Sequence, residues 1–91
     1  MARHRDRQLT ATVRVLFFAR YAEIVGRPSA TIDVPVPATV ADVVNHVRRD
    51  LPGGAELPAR PLAALNATHT RLDAPVADGD EVALLPPIAG G

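Results

Sequence analysis

Ninety-one residues, a formal net charge of zero and no cysteine allow one small domain with a single modest core, and leave little depth for an internal catalytic cleft. The charge balance offers no pull toward nucleic acid or an anionic membrane. Without thiols there is no disulfide frame, no cysteine nucleophile and no thiolate-bound zinc.

Residues 1–10, "MARHRDRQLT", are polar and mixed in charge, and read as a disordered N-terminal extension to a domain over 11–91. They lack the apolar stretch of a secretory signal, and no apolar run approaches the roughly 20 residues of a membrane span. A cytoplasmic location is therefore expected. "TVRVLFFA" predicts a strand with Val13, Val15 and Phe17 on one face and Arg14, Leu16 and Phe18 on the other. The second face turns apolar at Leu16 and Phe18, so part of it needs covering.

"ARYAEIVG" predicts a short helix stopped at Gly26. "SATIDVPV" alternates Ile32, Val34 and Val36 as a second strand, which Pro35 and Pro37 confine to a sheet edge. "TVADVVNHVRRDL" is the clearest helix, with Thr39 and Asp42 as a capping pair. Val40, Val43, Val44, Val47 and Leu51 form its buried stripe. Pro52-Gly53-Gly54 ends it, and a proline-rich loop leads to "LAALNATHTRL", two short strand pieces about a turn near Asn66. "DAPVADGD" reads as turn throughout. "EVALLPPI" is the last strand, with Val82 and Leu84 facing one way and Ala83 and Leu85 the other. This order predicts a two-layer α+β domain of β-grasp, ubiquitin-like type. Its mixed sheet has the first hairpin and the last strand central, and one long helix packed across it.

Side chains for conventional catalysis are sparse. His4, His46 and His69 have no Cys, Asp or Glu at metal-ligand spacing, so no metal site is expected. His46 and Asp50 are surface neighbours at i,i+4. Asp78, Asp80 and Glu81 cluster at a turn, open to turn chemistry, to calcium or to a partner. The end, "LLPPIAGG", is the unusual feature. A terminal carboxylate becomes a useful electrophile once ATP converts it to an acyl-adenylate. Bare glycine backbone at Gly90 and Gly91 passes a narrow channel that side chains would block. Pro86 and Pro87 stiffen the approach. Leu16, Phe18 and Leu85 would then serve as a docking patch beside the tail.

"VRVLFFARYAEIVG" and "ALNATHTRLDAPVADGDEVALLPPIAGG" resemble the MoaD/ThiS-like family of ubiquitin-like sulfur carriers, and within it the small subunits of molybdopterin synthase. The similarity covers residues 13–91. It implies a cycle in which an E1-like activating enzyme adenylates Gly91 with ATP and a sulfur donor protein converts it to a thiocarboxylate. The tail then delivers sulfur inside a larger, MoaE-like synthase subunit. No bound cofactor, nucleic acid or membrane is implied. Partner-binding positions implied by the resemblance are Gly90, Ala89, Ile88, Pro87, Pro86, Leu85, Phe18 and His69, with Gly91 as the reactive residue. The last strand carries Leu84-Leu85 where the molybdopterin group often has Phe-Phe, and His69 stands where an apolar residue is common. Core packing competes with docking as the role of Phe18 and Leu85, and His69 has an uninvolved strand position as its alternative. Carrier chemistry for cysteine or thiamin, a protein modifier, and a plain β-grasp interaction module are the other readings.

Overall fold

The computed structural model describes residues 9–87. β1 (Thr10–Phe17) alternates exposed and buried residues along its length, sending Ala11, Val13, Val15 and Phe17 inward. α1 (Arg20–Val25) follows and ends at left-handed Gly26. β2 (Ser29–Pro35) returns antiparallel to β1 from Leu16↔Ser29 to Thr10↔Pro35. β3 (Ala38–Thr39) leads into α2 (Val40–Asp50), and a 3₁₀ turn covers Gly54–Glu56. β4 (Leu62–Leu65), β5 (Thr68–Thr70), β6 (Pro75–Val76) and β7 (Glu81–Leu85) complete the chain. The main sheet has the order β2-β1-β7-β4-β5, and β3 pairs with β6 in a two-stranded ribbon. β7 runs parallel to β1 and antiparallel to β4. This is the β-grasp arrangement, a mixed sheet with one long helix packed across it.

α2 starts where its capping pair predicts. The Thr39 N–H donates to Asp42 Oδ2 at 2.8 Å, and the Asp42 N–H donates to Thr39 Oγ1 at 3.3 Å. Val40, Val43, Val44 and Val47 are fully buried in one cluster with Val13, Val15, Val82 and Leu84. Each such side chain contributes roughly 1.5–3 kcal/mol, so the helix is held by its valine stripe far more than by its cap. No helix among the described residues is long and apolar enough to cross a membrane.

Four expectations change. The segment assigned to the extension includes the start of β1: Thr10 pairs with Pro35, and the Leu9 carbonyl accepts from Val36 N–H at 2.9 Å. Of the first hairpin only β1 is central, because the prolines that close β2 leave it at the edge. Pro75–Val76 lies within the stretch read as turn, yet it forms β6 opposite β3. Two residues are too short for alternation to reveal. The proline-rich loop also contributes to the core through Leu57. Gly53 and Gly54 make that possible, since a Cβ at either would meet a backbone carbonyl, of Ile24 or of Val47.

Asn66 and Ala67 both have positive φ, 50° and 72°, as a two-residue hairpin turn between Leu65 and Thr68 requires. Glycine is preferred at the second position. Ala67→Gly is therefore expected to stabilise by about 1 kcal/mol, raising the thermal midpoint by roughly 4–8 °C. Gly54→Ala should lower stability by about 2 kcal/mol or more, because its methyl cannot occupy the space beside the Val47 carbonyl. Thermal melts followed by circular dichroism check both.

Candidate functional site

α2 covers one face of the sheet, and the pairing registers define the other. Leu16 pairs with Ala83, Ala83 with Ala64, and Ala64 with His69. Directly paired residues share a face, so these four form one row across β1, β7, β4 and β5. The next row toward the end of β7 holds Leu85 opposite Leu62. Phe18 continues this row, since its N–H donates to the Leu84 carbonyl at 3.3 Å. Alternation drives Phe17 inward at 4% exposure and leaves Phe18 at 45%. Leu62 is the most open large apolar residue of the described chain, at 54%. Leu85 lies between Phe18 and Leu62, and Ala83 and Ala64, each 8% exposed, sit side by side in the neighbouring row.

The opposite half of this face is polar. Thr31 and Arg14 pair across β2 and β1, and Arg14 approaches Glu81 at 3.9 Å. Thr12 Oγ1 donates to Asp33 Oδ1 at 2.6 Å. An apolar half and a polar half thus divide one sheet surface, and β7 runs from the polar to the apolar half.

The start of β7 is pinned by its turn. Asp78 Oδ1 accepts from Thr12 N–H at 2.7 Å, and Asp80 Oδ2 accepts from Ala77 N–H at 2.7 Å. The Asn66 amide donates to Asp80 Oδ1 and accepts from Glu81 N–H at 2.9 Å. Turn chemistry therefore accounts for Asp78 and Asp80. Among the described residues no group of three or more His, Cys, Asp or Glu could hold a metal ion.

On α2, in the other layer, Arg49 makes two hydrogen bonds to Asp50, at 3.1 and 3.2 Å. They hold the Asp50 carboxyl below its ordinary range and raise the Arg49 guanidinium above its own. His46 Nε2 lies 3.1 Å from Asp50 Oδ2. This cluster is a solvated helix surface.

The structure places Phe18, Leu85 and His69 on one face of the sheet, Phe18 beside Leu85 and His69 on the edge strand two strands from β7. It adds Leu62 and Ala64, which the sequence did not single out. "LAAL" shows that Leu62 and Ala64 share a face, but only the pairing with β7 shows which one. Pro86 is half-buried and Pro87 exposed where the chain leaves the sheet. Ile88, Ala89, Gly90 and Gly91, named for the tail, lie outside the described residues.

The ThiS family matches residues 15–91. The molybdopterin synthase sulfur carrier subunit of Escherichia coli (strain K12) is 38% identical over 81 residues, covering 87% of this chain and 99% of that protein. Among solved structures, the small archaeal modifier protein 1 of Haloferax volcanii superposes with a TM-score of 0.74 at 29% identity, covering 86% of this chain and 99% of that one. Subunits 1 and 2 of molybdopterin-converting factor from Helicobacter pylori 26695 were solved as a protein–protein complex. That match has a TM-score of 0.62 at 26% identity, covering 88% of this chain and 99% of the matched chain.

Two adjacent phenylalanines test the assignment of faces. Phe17→Ala should cost about 3–5 kcal/mol and unfold much of the protein at 37 °C. Phe18→Arg should shift stability by less than about 0.5 kcal/mol, read by urea denaturation. Comparable losses at the two positions would place Phe18 in the core.

Proposed function

The chain belongs to the ThiS family, and from that premise we infer that it is the ubiquitin-like sulfur carrier of a molybdopterin synthase. Its sequence similarity to the Escherichia coli sulfur carrier subunit over nearly that protein's whole length supports this. The structural observation that carries the mechanism is the exit of β7. The central strand ends beside Phe18, Leu85 and Leu62, so the chain leaves the sheet next to this apolar half-face.

The reactive group is the Gly91 carboxylate. An E1-like enzyme positions it against ATP; a carboxylate oxygen attacks the α-phosphorus, and pyrophosphate leaves. A sulfur donor protein then supplies sulfur at the sulfide level, which attacks the acyl carbon; AMP leaves, and Gly91 becomes a thiocarboxylate. With the carrier docked on a larger synthase subunit, the thiocarboxylate sulfur attacks an electrophilic carbon of a pterin precursor. Water cleaves the acyl carbon–sulfur bond and regenerates the Gly91 carboxylate. Each charged carrier supplies one of the two sulfurs of the dithiolene that holds molybdenum. The carrier binds neither ATP nor a metal in this scheme. It contributes reach, orientation and a docking surface.

Reach follows from covalent geometry. The six residues after Leu85 span at most about 20 Å when extended. The acceptor site must therefore lie within that distance of the apolar half-face. Pro86 and Pro87 narrow the directions the tail can take, which lowers the entropy lost on insertion. Gly90-Gly91 lets backbone alone enter the channel. Phe18, Leu85 and Leu62 supply the buried anchors that interfaces concentrate near their centres. His69, at the β5 end of the neighbouring row, stands at the rim.

The likeness to an archaeal modifier protein favours one second reading, in which activated Gly91 joins target lysines. Both readings share the adenylate and differ in the acceptor.

Expressed in cells with an active sulfur-transfer pathway, the protein should contain a species heavier by the mass difference between sulfur and oxygen. Intact-mass spectrometry reads this. Deleting Gly91 should abolish both that species and ATP–pyrophosphate exchange with the activating enzyme, at an unchanged thermal midpoint. Exchange that survives the deletion removes Gly91 from the mechanism. Target proteins carrying the chain on lysine, with no sulfur transfer to a pterin, would establish the modifier reading instead.

A further inference from the structure

An acyl-adenylate at Gly91 is an electrophile that any free amine or thiol can discharge, and the nucleophiles always nearest to it are those of its own chain. The ten side chains counted as Lys or Arg are all arginine, and the sequence contains neither lysine nor cysteine. A guanidinium stays protonated at physiological pH and does not attack an acyl carbon. A lysine of ordinary pKa is about 0.1% unprotonated at pH 7.4, and that fraction attacks an adenylate held within reach. Serine and threonine hydroxyls need a neighbouring base to do the same. Tyr21 is buried in the core at 5% exposure. Histidine gives only an acyl-imidazole, which water returns to the carboxylate.

The structure shows where an amine would matter most. Arg14 pairs with Glu81 across β1 and β7, and its side chain is 62% exposed. Along β7 the step from Glu81 to Leu85 is roughly 13 Å. Arg71 follows Thr70, which pairs with Ala63 next to Leu62, the partner of Leu85. Its side chain is 87% exposed, and two strand spacings of roughly 10 Å in all separate it from the end of β7. Both positions lie inside the roughly 20 Å that the extended residues after Leu85 can cover. Each arginine also carries a local charge contact, Arg14 at 3.9 Å from Glu81 and Arg71 at 3.3 Å from Asp73. Lysine would supply the same charge at these exposed pairs, so reactivity is what separates the two residues here.

We propose that arginine at positions 14 and 71 keeps the activated chain from acylating itself, so that the carrier gives its acyl group away and no side chain of its own accepts it. This rests on the activation of Gly91 inferred above and adds the selectivity of that step. In the reaction avoided, an amine nitrogen attacks the acyl carbon of the adenylate. The carbon–oxygen bond to AMP breaks, AMP leaves with the electron pair, and the nitrogen loses a proton to leave an isopeptide. Formed within one chain, that bond closes the tail into a loop; formed between two chains, it links two carriers. Either product removes Gly91 from sulfur transfer, because an amide does not return to the carboxylate on its own. The same property shapes the modifier reading: each target lysine would receive a single unit, since no unit offers a side-chain amine to the next.

The test incubates the parent, Arg14→Lys and Arg71→Lys with ATP and the activating enzyme encoded by the same genome, with no sulfur donor present. ATP–pyrophosphate exchange reports the adenylate, and intact mass with peptide mapping reports its fate. Both positions are exposed and keep their charge, so thermal midpoints should match the parent. Each substituted form should accumulate a species lighter by one water, or a linked dimer lighter by one water than two chains. Mapping should place the new amide between Gly91 and the substituted position, and deleting Gly91 should remove it. The parent should form no side-chain amide. If exchange proceeds and the substituted forms stay unmodified, the enzyme shelters the adenylate, and the proposal fails while the carrier reading stands. A side-chain amide in the parent overturns it equally. If the parent supports no exchange, the activation of Gly91 fails and the proposal with it.

Discussion

The position of β7 constrains everything else in this molecule. It is hydrogen-bonded on both sides, parallel to β1 and antiparallel to β4, and its inward residues Val82 and Leu84 are fully buried. A strand with two partners and a buried face is among the last parts of a sheet to open. Its end is therefore a fixed point from which the rest of the chain departs. Pinning of its start by Asp78, Asp80 and Asn66 sets the register. A slip of one residue would exchange Leu84 for Leu85 between core and surface, destroying both the packing and the docking row.

Alternation lets five residues of β7 serve two purposes. Val82 and Leu84 meet the valines of α2, while Ala83 and Leu85 face outward. The same division splits Phe17 from Phe18 across one peptide bond. Exposed Phe18 and Leu62 contribute nothing to the core, and a contiguous apolar patch of this kind marks an interaction surface. The core packing and the exposed apolar half-face are thereby separated onto opposite faces of one sheet, so substitutions on one face can leave the other intact.

Legibility in the sequence followed the length over which a pattern could repeat. The stripe Val40, Val43, Val44, Val47 and the Thr39–Asp42 cap revealed α2, and eight residues of alternation revealed β1. The outward-facing docking candidates Phe18 and Leu85 followed from the same parity. β3 and β6 were hidden because two residues cannot show a period. Leu57 was hidden because Gly53 and Gly54 bring it inward through backbone proximity, which composition does not encode. The face on which Leu62 lies depends on which strands are neighbours. That is a property of long-range pairing and not of any local run.

One consequence joins the fold to the proposed cycle. The chain leaves the middle of the sheet beside a single apolar half-face, so in the proposed cycle the activating enzyme and the synthase subunit would both meet that surface. An activating enzyme and a synthase subunit would then compete for Phe18, Leu62 and Leu85, and the carrier would visit them in turn. Such an exchange is incompatible with very tight binding at either stop, since slow dissociation would stall it. A half-face with two large exposed anchors, Phe18 and Leu62, suits that demand.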